Sequence, residues 1–427
     1  MPEGTFRVTT LGCRVNRADS LAIERDLAAR GYVRAGEDDV PDIWVVNTCA
    51  VTSEGMKKSR KAVRRCAGSG ARVIVTGCGA DLDPSAFACK GVEAVRSNSD
   101  KDSLVHEACG GPDRQAAAAD WSPRDLVRVP VKVQDGCTRF CSYCIVPHLR
   151  PAAFSRPLEA VVAEAEEMVG LGAGEIILCG IDLGSYADTA TGARIDRLAA
   201  AVRGVAGDAW MRLSSIELSD VSEPLLDLMN RSDVSRHLHL PLQSGDAGVL
   251  ESMGREYTPE QFRSRVAQVR RAVPEVAITS DVMVGFPGED EAAFAGTLEL
   301  VEQMGFSRLH VFKYSRRPLT RAFELGDPVS PQVKSARAKA LRDAAQRAAA
   351  VFHASMVGRI IPVLVESSMN SEPGMLFGRA ESFAGAVFEG EADLIGSVKS
   401  LKVTSSDSSV MRGLLVRTAG EDELIGR

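Results

Sequence analysis

Short apolar runs alternate with amphipathic helical patterns near the start of the chain. Runs rich in β-branched residues at 6–10, 43–47 and 73–76 predict strands. Apolar positions at helical spacing over 20–30 and 54–66 predict helices between those strands. The alternating order predicts parallel strands in a doubly wound α/β sheet, and ligands of such sheets bind beyond the carboxyl ends of the strands.

The same alternation continues more regularly in the middle of the chain. Strands are predicted at 126–133, 175–178, 211–214, 237–240, 277–282 and 308–312. Helices are predicted between them, for example at 157–171, 259–272 and 289–304. This repetition predicts an incomplete version of the (β/α)8 barrel, whose active site lies at the carboxyl ends of its strands.

The last part of the chain has a different pattern. An alanine-rich helix over 336–351 precedes five short alternating runs, at 360–365, 375–380, 386–391, 394–403 and 413–416. These runs predict a small β-barrel. A Gly-, Ala- and Pro-rich segment at 110–125 predicts a linker. We therefore expect three domains, at 1–115, 126–350 and 353–420.

Composition limits the class of protein. The 427 residues are 45% hydrophobic and 25% charged, as in ordinary globular proteins. No apolar run is long enough to span a membrane, and the first residues do not have the character of a signal peptide. Ten cysteines in such a chain favour metal binding in a reducing cytoplasm over disulfides. The net charge of −6 means that any RNA contact must come from local basic patches.

Three cysteines follow the first predicted barrel strand within eight residues: Cys137, Cys141 and Cys144. Three thiolates on one loop can hold an iron–sulfur cube and leave its fourth iron open to a cofactor. The alternative is a zinc ion bound by these cysteines and His148. Zinc sites usually use C-x2-C pairs, so the C-x3-C-x2-C spacing favours the iron–sulfur cluster.

Three further cysteines, Cys13, Cys49 and Cys78, each follow a predicted strand of the N-terminal sheet. Because parallel strands end at the same edge, we expect these thiols to converge on a second cluster. The alternative is that each is a small buried hydrophobic residue. That alternative is the interpretation we adopt for four cysteines without such a pattern: Cys66, Cys89, Cys109 and Cys179.

Two other sets of residues are candidates for binding. The helix at 54–66 carries six cations, which could contact RNA phosphates or simply form a solvated face: Lys57, Lys58, Arg60, Lys61, Arg64 and Arg65. Polar or small residues just beyond barrel strands could line a cofactor pocket: Gly180, Asp182, Ser215, Glu217, Gln243 and 284–288. Each of the latter could equally be a loop residue that satisfies backbone groups.

The spacing of the loop cysteines, with the aromatic Tyr143 before the last, resembles the signature of radical S-adenosylmethionine enzymes. The three segments in this order resemble the methylthiotransferases of that superfamily over nearly the whole chain. Matching phrases are Leu-His-Leu-Pro-Leu-Gln-Ser-Gly at 238–245, Val-Gly-Phe-Pro-Gly-Glu at 284–289 and Arg-Leu-His-Val-Phe at 308–312. Two phrases depart from the family. Residues 149–156 read Leu-Arg-Pro-Ala-Ala-Phe-Ser-Arg where the family usually has a Gly- and Arg-containing run, and Leu319 stands where the family has glycine.

The resemblance implies an N-terminal cluster on Cys13, Cys49 and Cys78, and a radical cluster on Cys137, Cys141 and Cys144. It further implies a C-terminal TRAM domain, a tRNA substrate and a reducing electron donor. S-adenosylmethionine would bind near five residues: Tyr143, Gly180, Glu217, Gln243 and Val284. The clusters would carry the chemistry, with no side chain acting as acid or base. One cofactor molecule donates a methyl group to sulfur, and a second yields the radical that takes hydrogen from C2 of adenine.

Phrases at 10–16, 47–52, 180–186 and 212–217 resemble the subgroup that acts on N6-threonylcarbamoyladenosine at position 37 of tRNA. Alternatives within the family are isopentenyladenosine in tRNA or a ribosomal protein. An alternative from another class is a non-catalytic, zinc-bearing RNA-binding protein. The acidic C-terminal barrel gives little support to RNA binding by that domain.

Overall fold

A computed structural model describes residues 3–109 and 127–416. The linker predicted at 110–125, residue 126 of the first predicted barrel strand and residues 417–420 of the predicted C-terminal domain lie outside the described residues. The strands form a five-stranded sheet, two sheets that together make an open barrel, and a small closed barrel. Within the described parts of the chain, no helix combines the length and apolar character needed to cross a lipid bilayer.

The N-terminal sheet is parallel, with strands in the order β2-β1-β3-β4-β5. The strands are β1 Gly4–Thr10, β2 Tyr32–Arg34, β3 Ile43–Thr48, β4 Arg72–Gly77 and β5 Val92–Val95. The helices are α1 Arg14–Ala29, α2 Ser53–Ala67, α3 Cys78–Leu82 and α4 Lys101–Cys109. The three predicted strands are present. The sequence did not indicate β2 and β5, which are short strands at the sheet edges.

Burial explains why the central strands could be predicted from the sequence. Every residue of β3 is buried, because helices cover both faces of a parallel sheet. Its apolar residues therefore form a continuous run, Ile43 to Val46, which is easily recognised. In α2, Thr52 caps the first turn by accepting a hydrogen bond from the Gly55 backbone N–H.

The middle segment forms six parallel strands, as predicted. They are β6 Arg128–Asp135, β8 Glu175–Gly180, β9 Trp210–Leu213, β10 His237–His239, β11 Ala277–Val284 and β12 Arg308–Lys313. One parallel bridge, between Ser215 and His239, joins the two sheets into an open barrel. The unpredicted β7 Phe154–Ser155 pairs antiparallel with the end of β6. Two residues are too few to give a periodic signal.

Helices accompany this barrel; most cover its outside, and the first of them packs against the N-terminal sheet through Leu149. They are α5 Val146–Leu149, α6 Leu158–Gly170, α7 Ile195–Val205, α8 Glu223–Asn230, α9 Ala247–Met253, α10 Pro259–Ala272, α11 Glu291–Met304 and α12 Pro331–Ala354. Alternate strand residues such as Val131, Leu178 and Ile278 pack under them in one core. The intervening residues face the inside of the barrel, because side chains alternate between the faces of a strand.

The C-terminal barrel is closed, with strands in the order β13-β14-β15-β17-β16. Its strands are β13 Ile360–Ser368, β14 Met375–Ala380, β15 Gly385–Glu389, β16 Val398–Ser406 and β17 Met411–Leu415. All five correspond to predicted runs. The turn between β14 and β15 carries Phe383, whose ring stacks on His237 of β10 at a centroid distance of 4.9 Å. This contact joins the small barrel to the large one.

Candidate functional site

The loop that carries Cys137, Cys141 and Cys144 begins where β6 ends. Gly136 turns the chain with a φ of 75°, and a Cβ there would lie 2.4 Å from the Ala152 carbonyl oxygen. This position therefore requires glycine. The loop is held from two sides, because the Ser142 backbone N–H donates to the Met253 carbonyl at 2.9 Å and the Ser142 carbonyl accepts from the Ala322 N–H at 2.7 Å.

The surroundings of these thiols suit a metal cluster. Burial raises the pKa of Cys137 to about 11 and that of Cys144 to about 12, so both thiols are neutral at pH 7 and must lose protons when they bind metal. The Arg139 backbone N–H donates to Cys137 Sγ at 3.4 Å, and the Arg255 guanidinium lies 3.5 Å from Cys141 Sγ. Such donors stabilise thiolates and tune an iron–sulfur cluster.

Distances between ligand atoms favour a cube over a single zinc ion. Thiolates on one tetrahedral zinc lie roughly 3.8 Å apart, given Zn–S bonds of about 2.3 Å. Across residues 3–109 and 127–416, the one group of three His, Cys, Asp or Glu ligand atoms within 4.8 Å of one another is His239, Asp281 and His310. The cysteine sets are therefore more widely spaced, as they must be to bind separate irons.

A cavity of about 400 Å³ opens beside the loop. Its lining includes Cys141, Arg139, Glu217, Arg255 and Tyr257. Arg255 forms an ion pair with Glu217, and Arg139 donates to Asp182 at 2.9 Å and to Asp220 at 2.6 Å. Polar groups with fixed partners at the carboxyl ends of barrel strands are what an organic cofactor needs for orientation.

The five predicted cofactor residues do not all line this cavity. Glu217 lines the cavity together with Cys141, whereas Tyr143 packs edge-on against Phe286 at 6.5 Å. Gly180 is crowded, since a Cβ would lie 3.0 Å from Oε1 of Gln134, a side chain that also donates to the Gly136 carbonyl.

The last two cofactor residues lie near the carboxyl ends of neighbouring strands, Gln243 beyond β10 and Val284 as the last residue of β11. Gln243 has a φ of 67° and forms a parallel bridge with Val282 of β11. Val284 is buried in the core, and its carbonyl accepts from the Tyr314 N–H at 2.9 Å. Any contact that Val284 makes with a cofactor must therefore come from its backbone.

The strand-end cysteines lie at one edge of the N-terminal sheet, as predicted. Cys13 is the N-cap of α1, Cys49 follows β3, and Cys78 begins α3. A Cβ on Gly12 would lie 3.0 Å from Cys49 Sγ, so the turns approach each other closely. Burial raises the pKa of Cys13 and of Cys49, and the neighbouring Cys78 sulfur raises both further. The three thiols therefore face one another.

Side chains of the N-terminal sheet support this edge. The Ser59 hydroxyl accepts from the Cys49 backbone N–H at 3.0 Å, and the Asn98 amide lies 3.7 Å from Cys78 Sγ. Cys13 remains exposed to solvent although protein surrounds it, so it borders an opening. Sulfur donors, backbone support and adjacent open space fit an iron–sulfur cluster.

Helix α1 brings this edge to the inside of the barrel. Val15 and Ala18 pack against Cys179 of β8, and Cys13 is close enough to Cys179 to raise its pKa further, beyond the larger effect of burial. Cys179 alternates with the outward-facing Leu178 and therefore faces inward. The Cys13 site thus lies beside the inner face of the barrel.

A buried group of charges connects the two cysteine regions, and sequence analysis did not find it. Arg150, six residues beyond Cys144, donates to Asp135 at 2.6 Å and to Asp19 of α1 at 2.8 Å. Lys101 donates to the same Asp19 at 2.7 Å, and Lys132 donates to it at 2.5 Å. Arg150 also donates to Asn16 and Asn98, which flank the strand-end cysteines.

The inner face of the barrel carries a second unpredicted group. Asp281 Oδ1 lies 3.2 Å from His239 Nε2 and 3.1 Å from His310 Nδ1. Burial opposes ionisation of Asp281, but the hydrogen bonds from both imidazoles prevail and lower its pKa to about 2. Period-two alternation with Leu238 and Val282, which lie in the outer core, was the signal that places these residues inside.

The basic residues of α2 lie on its solvent-facing side. Lys57, Lys58, Lys61 and Arg64 are all exposed, and no salt bridge to them exists in the described part of the chain. Ser59 anchors the opposite face to Cys49, so the cationic face starts close to the strand-end cysteines. His148, the predicted fourth zinc ligand, is exposed and packs edge-on against Phe140.

Comparisons with known proteins agree with this architecture. The family model described as Radical SAM superfamily matches residues 131–301, and that described as Uncharacterized protein family UPF0004 matches residues 5–110. A solved structure similar in fold is the radical S-adenosylmethionine methyltransferase TsrM from Kitasatospora setae, with cobalamin and a 4Fe–4S cluster bound. Its TM-score is 0.54 at 14% identity, over 75% of this chain and 77% of that one.

Curated relatives are similar over nearly the full chain. The threonylcarbamoyladenosine tRNA methylthiotransferase of Bacillus subtilis is 33% identical over 98% of both chains. The protein of the same name in Chlamydia pneumoniae is 35% identical over 85% of this chain and 87% of its own. The tRNA-2-methylthio-N(6)-dimethylallyladenosine synthase of Syntrophotalea carbinolica is 32% identical over 94% and 97%.

Proposed function

This chain belongs to the tRNA methylthiotransferases of the radical S-adenosylmethionine superfamily, and from that premise we propose that it adds a methylthio group to C2 of N6-threonylcarbamoyladenosine at position 37 of tRNA. Relatives named for the threonylcarbamoyl substrate are 33–35% identical to it. Membership of this enzyme family removes the alternative of a non-catalytic zinc protein.

One observation supports the proposal most strongly: helix α1, which begins beside Cys13, packs on the inner face of the barrel whose first strand carries the loop cysteines at its carboxyl end. Cys137, Cys141 and Cys144 lie at the carboxyl end of β6, and α1 carries Cys13 to the inner face at Cys179. A base held between the two sites would be accessible to both. A zinc protein that only binds RNA has no need of this arrangement.

Each cysteine set would hold one 4Fe–4S cluster in this proposal. The cluster on Cys137, Cys141 and Cys144 would supply the electron that cleaves S-adenosylmethionine, and the one on the strand-end cysteines would present the sulfur. An external reducing donor would supply the electrons. The protein's own contribution is to position the sites, and its buried barrel walls keep water from the reactive carbon.

The cavity beside Cys141 is the proposed cofactor pocket. Glu217 and Arg255 hold each other in place there, and together they present a carboxylate and a guanidinium to a zwitterionic ligand. Tyr143, Gly180, Gln243 and Val284 complete the proposed set, contributing through the shape of the loop and through backbone groups at strand ends.

Transfer RNA would dock along the cationic face of α2. Within residues 3–109 and 127–416, Lys57, Lys58, Lys61 and Arg64 have no salt-bridge partner, and α2 begins beside Cys49, so RNA bound there would lead to the barrel opening. We assign the closed C-terminal barrel to the TRAM type and expect it to assist docking. The proposed substrate places the enzyme in the cytoplasm.

Mass spectrometry of tRNA nucleosides from a deletion strain tests the substrate. Loss of the methylthio form with accumulation of N6-threonylcarbamoyladenosine is the expected result. Loss of methylthiolated isopentenyladenosine instead would support the second candidate, which relatives at 29–32% identity represent. Unchanged tRNA nucleosides would point to the ribosomal-protein alternative.

A further inference from the structure

Arg14 is a charged residue in the barrel interior that the protein itself leaves without a partner. It directly follows Cys13 and is only partly exposed. In the residues that the structure describes, its guanidinium makes no hydrogen bond or ion pair and lies over the face of Phe383, 5.6 Å from the ring centroid. A half-buried guanidinium normally has an anionic partner.

The surrounding charges explain why no partner comes from the protein. Three other arginines pack on the same ring: Arg128 at 5.0 Å, Arg212 at 5.2 Å and Arg379 at 4.7 Å. Arginine keeps its charge in proteins, so Arg14 is a fourth cation around Phe383, in a region with excess positive charge.

The nearby carboxylates are already occupied. Glu175 accepts from Arg128 at 2.6 Å and from Arg212 at 2.7 Å, one on each oxygen. Glu366 accepts from Arg379 at 3.1 Å and pairs with Arg128 at 3.3 Å. Glu381 accepts from the Arg236 backbone N–H at 3.1 Å. Arg14 is thus the one guanidinium around this ring that pairs with none of these carboxylates in the described residues.

We propose that Arg14 determines substrate specificity by binding the carboxylate of the threonylcarbamoyl group. The inference rests on the proposed function, in which C2 of the base lies beside the strand-end cysteines. Arg14 is the residue next to Cys13, and the N6 substituent of the same base ends in a carboxylate at the tip of a flexible chain, so it can reach a guanidinium some distance from C2. A guanidinium at this place gives affinity for the acidic substituent and none for an isopentenyl group.

The test uses the full chain with its clusters reconstituted and two anticodon stem-loop RNAs. One RNA carries N6-threonylcarbamoyladenosine at position 37, and the other carries its neutral methyl ester. The measurements are RNA affinity and kcat/KM for methylthio product. Wild type should prefer the acid by about 10-fold or more, the usual range for a hydrogen bond to a charged group. This comparison needs no variant, so it does not depend on folding of a mutant.

Arg14→Met should lower kcat/KM for the acid to the value for the ester and leave the ester unchanged. Arg14→Lys should keep part of the preference, because it retains the charge without the planar pair of donors. The matched control is Arg17→Met on the same helix, where Arg17 pairs with Glu24 instead. It should keep the wild-type ratio. Iron content and thermal unfolding of each variant are checked first.

Several outcomes would overturn the proposal. One is a wild-type enzyme that modifies acid and ester equally well. Another is an Arg14→Met variant that keeps the wild-type ratio. A third is a raised KM for S-adenosylmethionine with both RNAs, which would assign Arg14 to the cofactor carboxylate. Failure of the proposed function looks different, because wild type would then modify neither RNA and would act on a stem-loop with isopentenyladenosine.

Discussion

The two cysteine sites of this protein are built in opposite ways. Cys137, Cys141 and Cys144 lie on one loop, whose shape depends on local features such as the φ of 75° at Gly136. Cys13, Cys49 and Cys78 come from three strand ends and meet only because the sheet is parallel. The loop site is therefore specified by spacing, and the strand-end site by topology. The first needs a short segment with distant contacts at Ser142, while the second depends on the whole N-terminal sheet.

The largest expected effect comes from removing the loop site. Replacing Cys137, Cys141 and Cys144 with Ala should halve the bound iron and abolish cleavage of S-adenosylmethionine, because no open iron remains at the barrel mouth. Iron analysis and absorbance after anaerobic reconstitution measure the remaining cluster. Loss of all iron in a folded variant would show that the two sites are not independent.

Removing the strand-end site should uncouple the reaction instead of stopping it. The Cys13, Cys49 and Cys78 triple Ala variant should still form 5′-deoxyadenosine with reductant, cofactor and tRNA, but no methylthio product. Chromatography of both products from one reaction is the measurement, with circular dichroism as the control for folding. A folded variant that still methylthiolates tRNA would assign these cysteines a structural role only. A variant that forms neither product would show that radical formation itself needs the strand-end site.

Substitution of Arg150 tests how much the buried charges that connect the two cysteine regions stabilise the protein. Arg150→Met leaves Asp19 and Asp135 buried without one of their cations, which should lower the free energy of unfolding by about 3–5 kcal/mol. Burial alone would raise the pKa of Asp19, but Lys101, Lys132 and Arg150 hold it well below its usual value. This stabilisation is therefore present above pH ~4 and is lost as pH falls toward the lowered pKa, so the variant should lose the most at neutral pH.

Urea unfolding at pH 7 and at several pH values below 4 measures both parts of this expectation. The matched control is Arg231→Met, which removes an exposed arginine paired with Asp233 and should change stability by about 0.5 kcal/mol or less. Equal stability of Arg150→Met and wild type at pH 7 would contradict a structural role for the buried charges.

Charge reversal on α2 should have a smaller effect, confined to RNA. Lys57, Lys61 and Arg64 changed together to Glu should weaken tRNA binding and reduce the slope of log affinity against log salt by about one unit per lost phosphate contact. The stability of both cysteine sites should not change, because these side chains are exposed. An unchanged salt slope would show that this face is a solvated surface that does not contact RNA phosphates.

The sequence was informative where the signal is local or strictly periodic. Strand and helix alternation predicted the parallel sheets, and cysteine spacing predicted the loop. The alternation of Asp281 with Val282 could also have shown that Val284 faces the core. The charge cluster could not be predicted, since Arg150 and Asp19 are 131 residues apart and a buried arginine has no local signature. Short edge strands such as β2 lack enough residues to show a period.

Substitution of Leu319 should have the smallest effect on stability. Leu319 lies in a segment that contacts both cysteine sites. Within this segment, Arg317 donates to the Ala50 carbonyl beside Cys49, and the Ala322 N–H donates to Ser142 in the loop. Leu319 is 64% exposed and has a φ of 68°, in the left-handed region, where a leucine costs about 1–2 kcal/mol and glycine nothing comparable. Leu319→Gly should therefore raise the free energy of unfolding by up to ~1 kcal/mol, after part of the gain is offset by the greater freedom of glycine in the unfolded chain. Leu325→Gly, at another exposed position in this part of the chain, is the control and should not stabilise the protein. If thermal unfolding showed Leu319→Gly to be less stable than wild type, the exposed leucine would be packing against something that compensates for its backbone conformation.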